Sequence, residues 1–308
     1  MPKKTVLITG ASSGLGEALA TYCAQQGCAL ALVARRLDQL EVLAEKLRDQ
    51  YRVQVEVAYL DVTEHDKILP IFMGLSDLLG RIDTVVINAG ILKTRRLADE
   101  RLDKDIAVFN TNVIAAIACA DAAQHMFNFQ GGRGHIIAIS SYSALLGLPQ
   151  AAAYSASKAA LDKVTADLAG KLDGTDVCIN LADPGWCRTD LGGPNAPNDP
   201  DSVIPGIVLG AFIDDKISGR WLGAQDFSGM SLEDALEKAK GYNLQRSPWR
   251  QGVWRLFLPR KEDWLIQYRP RVGNLRHHCR RLGLHSRLQN TFTQKLYTAS
   301  CKCGCSRR

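Results

Sequence analysis

The chain has 308 residues, a 46% hydrophobic content and a formal net charge of +6. This content suffices for a large buried core and excludes a wholly disordered chain. The sequence contains no uninterrupted run of about 18 apolar residues, so we expect no membrane-spanning helix. A strand-like segment begins at Thr5, which leaves no room for a secretory leader. We therefore expect a protein of the cytoplasm.

The net charge conceals two regions of opposite sign. Residues 1–245 hold 23 Lys and Arg against 30 Asp and Glu, a balance of −7. Residues 246–308 hold 15 Lys and Arg against Glu262 and Asp263, a balance of +13. We predict a folded domain over 1–245 and a basic, Cys- and His-containing tail over 246–308. Nucleic acid and anionic membranes attract such segments, but we favour a poorly ordered appendage, or an extension without a selected role.

Cysteine usage follows the same division. Five cysteines stand in apolar context and are expected to be small buried side chains: Cys23, Cys28, Cys119, Cys178 and Cys187. The tail holds the other four, Cys279, Cys301, Cys303 and Cys305. The Cys-x-Cys-x-Cys spacing at its end is tighter than the CxxC pairs of structural zinc sites. We expect neither a disulfide framework nor a metal site.

Strand-like and helix-like segments alternate along the first 185 residues. The predicted strands are residues 5–10, 29–34, 53–60, 82–88, 134–140 and 177–182. The predicted helices are residues 17–26, 37–50, 101–128 and 152–172. This alternation indicates a parallel sheet covered on both faces, and right-handed crossovers make it a doubly wound, Rossmann-like α/β fold.

The alternation changes over residues 190–245. Residues 192–206 are dense in Gly, Pro, Asn and Asp and are predicted to form a loop. Residues 204–215 favour a helix, residues 218–227 a final strand, and residues 231–240 a short helix capped by Ser231.

The first predicted strand runs into TGASSGLG, in which Gly10, Gly14 and Gly16 open the next helix. Glycine lets a backbone approach a pyrophosphate, and a helix N-terminus offers N–H groups and a positive dipole end. The alternative is a simple tight turn. The position of TGASSGLG between a strand and a helix favours a dinucleotide-binding loop.

The second predicted strand ends in Arg35 and Arg36, where NAD-selective folds of this type carry a carboxylate for the ribose hydroxyls. The planar guanidinium suits a 2′-phosphate. We therefore expect NADP(H) as the preferred cofactor, with NAD(H) as the second choice. The alternative is a solvated start of a helix.

Tyr154 and Lys158 stand four residues apart in an alanine-rich segment that favours a helix. Residues at this spacing lie on one helix face, so the phenol and the ammonium are expected to share a surface. A surface tyrosine beside a solvated lysine is the alternative.

Further motifs decide between these interpretations. In chain order the motifs are TGASSGLG at 9–16, Asp61-Val62, Asn88-Ala89-Gly90, Asn112, Ser141 thirteen residues before Tyr154, Tyr154-x-x-x-Lys158 and Pro184-Gly185-x-x-x-Thr189. With these motifs the chain resembles the short-chain dehydrogenase/reductase family over about residues 3–230. The tryptophan after Pro184-Gly185 is similar to the carbonyl-reductase-like branch. One position departs from the family, which often has a second asparagine where this chain has Ile87.

The resemblance implies four catalytic residues. Tyr154 acts as the general acid of carbonyl reduction, and Lys158 lowers the pKa of its phenol, helped by the positive charge of the oxidised nicotinamide. Lys158 also holds the nicotinamide ribose. Ser141 hydrogen-bonds the substrate oxygen, with Ser140 and Ser143 as neighbours that blur the assignment. Asn112 supports a proton relay through water, with a helix cap as its alternative role and Asn110 as a competitor.

The resemblance also implies the cofactor contacts. Asp61 contacts the adenine, unless it is only a turn or capping residue, and Thr189 contacts the nicotinamide carboxamide. The full cofactor set is Gly10, Ser12, Ser13, Gly14, Leu15, Gly16, Arg35, Arg36, Asp61, Val62, Asn88, Ala89, Gly90, Tyr154, Lys158, Pro184, Gly185 and Thr189.

These features predict an NADP(H)-dependent oxidoreductase that interconverts a small-molecule carbonyl and an alcohol. Hydride comes from the cofactor, since no side chain supplies it. The alternative is a dinucleotide-binding regulatory or interaction protein of the same fold that uses the basic tail. Assembly into homo-oligomers is left open. Four residues are candidates either for an apolar substrate pocket or for the core: Trp186, Leu191, Phe212 and Trp221.

Overall fold

Seven parallel strands form one sheet in the computed structural model, which describes residues 4–94, 102–148, 150–213 and 216–241. The strand order is β3-β2-β1-β4-β5-β6-β7. The strands are β1 Thr5–Thr9, β2 Ala29–Ala34, β3 Val55–Tyr59, β4 Thr84–Ile87, β5 Arg133–Ile139, β6 Asp176–Asp183 and β7 Trp221–Gly223. The predicted Rossmann-like α/β fold is therefore confirmed.

Helices cover both faces of this sheet. The described α-helices are α1 Gly14–Gln25, α2 Leu37–Tyr51, α3 His65–Leu79, α4 Asp103–Phe109, α5 Ala115–Phe129, α6 Ala152–Lys171, α7 Pro200–Phe212 and α8 Leu232–Gly241. A π-helical turn, Asn110–Ile114, joins α4 to α5, and 3₁₀ turns cover Tyr142–Ala144 and Ala224–Phe227.

Alternate side chains of the central strand β1 enter two different cores. Ile8 packs in a core with Leu19 of α1, whereas Leu7 packs in a core with Phe72 of α3 and Leu161 of α6. Because successive strand residues point to opposite faces, a strand buried on both sides is apolar throughout. This explains why the predicted strands stand out in the sequence. The five predicted buried cysteines are indeed buried.

The predicted helix 101–128 differs from the structure, and α3 was not predicted. The π-helical turn divides the former into α4 and α5. In α3, Pro70 stands inside the helix and interrupts its helical pattern. Proline in a sequence often marks the boundary of a helix. Here the helix continues through Pro70 because its apolar face packs against the core.

The predicted helix over 204–215, the final strand and the short helix are all present, but the bounds of the first two differ from the prediction. Helix α7 begins at Pro200, inside the predicted loop, because Asp199 caps it by accepting a hydrogen bond from the Asp201 N–H at 3.1 Å. The final strand is only Trp221–Gly223, since a 3₁₀ turn follows. The Ser231 cap of α8 is present, with the Asp234 N–H donating to Ser231 Oγ at 3.1 Å.

One stretch of the described residues, Asp103–Phe129, is long and apolar enough to cross a membrane by length and composition alone. The segment is not an uninterrupted apolar run, since Asn112 and Asp121 lie within it, and the expectation of no membrane-spanning helix stays a prediction. Half of its most apolar window is buried inside the fold. Ala116, Cys119 and Ala123 of α5 belong to one of the two cores, and this packing accounts for the apolar composition.

Candidate active site

The strand order reverses between β1 and β4, so the carboxyl ends of these strands border a crevice. The predicted site residues lie in the segments that follow the strands or on the helices beside the crevice. After β1 come residues 10–16, after β2 Arg35 and Arg36, after β3 Asp61 and Val62, and after β4 Asn88, Ala89 and Gly90. Asn112 lies in the π-helical turn, Ser141 after β5, Tyr154 and Lys158 on α6, and Pro184, Gly185 and Thr189 after β6.

The glycine-rich loop joins β1 to α1 in a conformation that requires glycine. Gly10 has φ +67° and Gly14 has φ +56°, in the left-handed region that other residues rarely adopt. Ser13 stands at the N-cap of α1 without a side-chain capping bond, and Leu15 packs against the core. The first turn of α1 therefore presents its N–H groups to the crevice, which fits the pyrophosphate of a dinucleotide.

Asn88 ties the carboxyl ends of β1 and β4 together. Its Nδ2 donates to the carbonyl oxygens of Thr9 at 2.9 Å and Gly10 at 3.2 Å. The Thr9 hydroxyl in turn accepts the N–H groups of Asn88 and Ala89, both at 3.0 Å. Asn88 thus holds the glycine-rich loop in place through its side chain, and this role needs no second asparagine at position 87.

The two arginines after β2 have different partners. Arg36 donates through Nε to Ser12 Oγ at 3.1 Å and through Nη2 to Ser13 Oγ, which links it to the glycine-rich loop. Arg35 lies 3.7 Å from an Asp61 carboxylate oxygen, and its side chain is 66% exposed. The Arg35 guanidinium therefore lies at the surface, beside the loop that would hold the adenosine half of a dinucleotide.

Asp61 forms a turn with Thr63, whose N–H and hydroxyl donate to the carboxylate at 2.9 and 2.7 Å. Burial raises the pKa of the Asp61 carboxyl, but these hydrogen bonds and the charge of Arg35 outweigh it and leave the pKa lowered. Asp61 is thus an ionised turn residue next to Arg35. Its neighbour Val62 is buried.

Asn112 connects the loop after β4 to α6. Its Oδ1 accepts the Ile91 N–H at 2.8 Å, and its Nδ2 donates to the Ile91 carbonyl at 2.9 Å and to Ser157 Oγ at 3.0 Å. Both amide protons of Asn112 are donated in these hydrogen bonds, so its side chain holds the loop after β4 in place. The role of Asn112 in a proton relay stays a prediction. The competitor Asn110 is exposed.

Tyr154 is buried on α6, as the predicted helix requires, and its phenol is close enough to Ser141 for this side chain to lower the pKa of the phenol. Ser141 Oγ accepts the N–H of Ser143 at 3.2 Å and its hydroxyl at 2.9 Å. Ser140 points elsewhere, because its hydroxyl donates to Asp162. The structure therefore brings together the phenol and the serine that the motif spacing selects.

The pKa of the Tyr154 phenol is opposite in direction to the sequence expectation. Burial raises this pKa, the Ser141 side chain lowers it, and the charge of Asp183 raises it, so that the net shift is upward. The Lys158 ammonium lies 5.7 Å from the centre of the phenol ring. The residues of the chain alone therefore do not lower the pKa of the Tyr154 phenol, and the phenol is protonated at neutral pH.

Lys158 is buried below the phenol, and its Nζ donates to the Ile139 carbonyl at 2.7 Å. Burial lowers the pKa of the ammonium to about 8, against the charges of Asp162 and Asp183, which raise it. Gly90, which has no side chain, lies next to this group, since a Cβ there would stand 3.8 Å from Lys158 Nζ and 3.4 Å from Asn112 Oδ1. The ammonium therefore lies at the carboxyl end of β5, beside the loop that follows β4.

Two buried carboxyl groups beside Lys158 were missed by the sequence analysis. Asp183 ends β6 and accepts the Gly185 N–H at 2.9 Å, while burial raises the pKa of its carboxyl. Asp162 follows Lys158 by one helical turn. The spacing of Asp162 on the predicted helix was a usable signal, whereas nothing in the sequence shows that Asp183 is buried.

The loop after β6 packs against the glycine-rich loop. A Cβ at Gly14 would stand 3.3 Å from the Thr189 side chain, whose hydroxyl accepts the Gly192 N–H at 3.1 Å. Gly185 has φ +70°, and a Cβ there would lie 2.3 Å from the Gln225 side chain. Thr189 is therefore at the crevice, next to the loop that would hold the dinucleotide phosphates.

The loops that follow β5 and β6, on which Ser141 and Thr189 lie, also carry exposed apolar side chains. Trp186 is 57% exposed, and the other exposed apolar residues of the two loops are Tyr142, Leu145, Leu146, Leu148 and Leu191. Phe212 and Trp221, the remaining pocket candidates, pack against the cores instead. Within the described ranges, no group of three His, Cys, Asp or Glu side chains is arranged to hold a metal ion.

Comparison with known proteins identifies the family. The model for short chain dehydrogenases matches residues 4–199. An uncharacterized oxidoreductase of Mycobacterium tuberculosis is 39% identical over 191 residues, which are 61% of this chain and 75% of that protein.

Two solved structures are similar to the fold. The alcohol dehydrogenase of Thermococcus sibiricus, complexed with 5-hydroxy-NADP, is 26% identical with a TM-score of 0.65 and covers 71% of this chain and 96% of its own. The NADPH-dependent 3-quinuclidinone reductase of Rhodotorula rubra is 25% identical with a TM-score of 0.62 and covers 68% of this chain and 84% of its own. The chain belongs to the short-chain dehydrogenase family of NAD(P)-dependent oxidoreductases.

Proposed function

We propose that the protein reduces an aldehyde or ketone to an alcohol with NADPH, or catalyses the reverse reaction, with Tyr154 as the general acid or base. The observation that carries this proposal is that the Tyr154 phenol lies beside Ser141, with the buried Lys158 ammonium 5.7 Å from the centre of its ring. A protein that only binds a dinucleotide has no need of this arrangement. The enzyme is therefore favoured over a regulatory protein of the same fold.

Each residue has a defined task in the reduction. Hydride transfer is the chemistry that a bound nicotinamide supplies. Tyr154 donates its proton to the carbonyl oxygen, and Ser141 hydrogen-bonds the same oxygen. Burial raises the pKa of the phenol and so keeps the proton in place until the oxygen gains charge. The Lys158 ammonium holds the ribose and stabilises the phenolate that forms.

The preference for NADP(H) rests on Arg35 and Arg36, which follow β2 at the place where a carboxylate would select NAD(H). The Arg35 side chain is mostly exposed, so its guanidinium group is accessible to a 2′-phosphate. The names of two similar structures support this choice, since one was solved with an NADP derivative and the other is an NADPH-dependent reductase.

The exposed apolar residues on the two loops favour a substrate with an apolar body next to its carbonyl group. Contiguous exposed apolar surface marks ligand-binding grooves, and Trp186 supplies the largest such side chain here. The same tryptophan after Pro184-Gly185 carries the proposed place in the carbonyl-reductase-like branch.

The test is a steady-state measurement of NADPH oxidation by the full chain with a panel of aldehydes and ketones of increasing apolar size. The proposal expects turnover that depends on the carbonyl compound and a kcat/KM that rises with apolar size. Tight NADPH binding without turnover of any carbonyl or alcohol would instead favour the regulatory protein.

A further inference from the structure

A carboxyl group behind the candidate site has a geometry that packing alone does not explain. Asp162 lies one helical turn after Lys158 on α6, and the two side chains are 0% and 5% exposed. Residues at this spacing lie on one helix face. One Asp162 oxygen accepts the Ser140 hydroxyl, while Oδ2 is buried and has no hydrogen-bond partner among the described residues.

An unpaired buried carboxylate oxygen is costly, so it needs a compensating charge. Lys158 supplies that charge, because each of the two groups shifts the pKa of the other toward its charged form. Burial opposes both charges and is the larger effect, which raises the pKa of Asp162 to about 7 and lowers that of Lys158 to about 8.

The groups that face Asp162 come from four elements. Ser140 follows β5, Asp183 ends β6, Trp221 begins β7, and Lys158 shares α6. The Trp221 indole lowers the pKa of Asp162, although neither its Nε1 nor Asp162 Oδ2 has a partner within hydrogen-bond distance. Asp183 also raises the pKa of the Lys158 ammonium, but Asp162 raises it more.

We propose that Asp162 is a positioning residue that keeps the Lys158 ammonium charged and holds Ser140, and with it the adjacent Ser141, against α6. The proposal rests on the proposed function of Lys158 in cofactor binding. Its consequence is specific: without the charge at position 162, Lys158 loses its proton at a lower pH. Over the same pH range the site then loses the positive charge that would bind the ribose of the cofactor.

The test replaces Asp162 by asparagine, which keeps the shape and can still accept the Ser140 hydroxyl. Two measurements are made on the full chain across pH. One follows the titration of Lys158 by NMR of ¹³C-labelled lysine, with the signal assigned by its loss in Lys158→Met. The other follows the affinity for NADPH. Asp162→Asn should move the loss of the Lys158 proton, and the alkaline loss of NADPH affinity, to lower pH by about one unit.

Two matched variants separate charge from structure. Ser140→Ala removes the hydrogen bond and keeps the carboxylate, so Lys158 should still titrate within a few tenths of a unit of the wild type. Asp167→Asn removes the partner of Lys163, an exposed Lys–Asp pair of the same spacing on the same helix, and should leave both curves unchanged. Asp162→Ser, which has no charge and less volume, replaces Asp162→Asn if the latter does not fold.

Each outcome bears on the proposal. An unchanged Lys158 titration in the folded Asp162 variant would overturn it and leave Asp162 a packing residue, even if the variant is less active. A shifted titration in a protein that does not bind NADPH would support the pairing of Asp162 with Lys158 and would contradict the proposed function instead.

Discussion

Gly16 lies so close to Gly10 that a Cβ added to Gly16 would stand 2.3 Å from the Gly10 carbonyl oxygen. The same Cβ would stand 2.7 Å from Nδ2 of Asn88, which is bonded to that carbonyl. The first turn of α1 therefore packs directly on the end of β1. This contact sets the path of the loop that would cradle a pyrophosphate, and it has no space for a side chain.

We predict that Gly16→Ala lowers NADPH affinity by at least about tenfold and destabilises the protein by roughly 1–3 kcal/mol, as overpacking does. The measurements are a binding titration and thermal unfolding. Gly74→Ala is the matched control, because Gly74 lies inside α3 with nothing within 4 Å of an added Cβ. That change should stabilise by up to about 1 kcal/mol. Normal NADPH binding by Gly16→Ala would show that the loop is not the cofactor cradle.

Cofactor choice is predicted to depend on Arg35. Arg35→Asp should lower kcat/KM for NADPH relative to NADH by roughly tenfold to a hundredfold, since a charge-assisted hydrogen bond contributes about 1.5–3 kcal/mol. Lys46→Asp on α2 makes the same change of charge at an exposed position and should leave the ratio unchanged. An equal ratio in Arg35→Asp and the wild type would leave Arg35 a solvated start of a helix.

The pH dependence of stability should report the buried carboxyl group at position 162. Its pKa is raised to about 7 by burial, whereas in an unfolded chain it is near 3.9. Between these values the folded protein binds a proton that the unfolded chain does not, so this contribution to stability is present at low pH and is lost as pH rises toward 7. The Tm of the wild type minus that of Asp162→Asn should therefore fall between about pH 4.5 and 7. A difference that stays constant would contradict a raised pKa.

The tail is predicted to be dispensable. A chain ending at residue 245 keeps β1 to β7 and α8, and should bind NADPH and retain most of the reductase activity. Residues 242–308 lie outside the described residues, so this boundary rests on composition. The competing outcome is an inactive or aggregated truncated protein, in which Trp249, Trp254, Phe257, Leu258 and Trp264 belong to the folded unit.

Buried strands and the order of the motifs could be predicted from the sequence because both are local patterns. The π-helical turn could not be predicted, because no local pattern in NTNVI distinguishes it from an α-helix. The hydrogen bonds of the Asn112 side chain to Ile91 and Ser157 are tertiary contacts. Helix α3 was hidden by Pro70.

The candidate site shows the same limit. Tyr154, Lys158 and Ser141 are found by spacing, and the structure brings them together. The helical spacing places Asp162 on the same face as Lys158, but only packing shows that Asp162 and Asp183 are both buried. The direction of the Tyr154 pKa was mistaken for the same reason, because burial was not part of the sequence argument.

The central claim is that the Tyr154 phenol supplies the proton for carbonyl reduction, and Tyr154→Phe tests it most directly. The measurement is kcat for NADPH oxidation with the best carbonyl substrate, beside the Kd for NADPH. Tyr51→Phe is the control, since Tyr51 ends α2 and hydrogen-bonds Gln25. We predict that Tyr154→Phe lowers kcat by about 10²–10⁴-fold while NADPH still binds, and that Tyr51→Phe changes neither. Retention of most of the wild-type rate by Tyr154→Phe would contradict the mechanism.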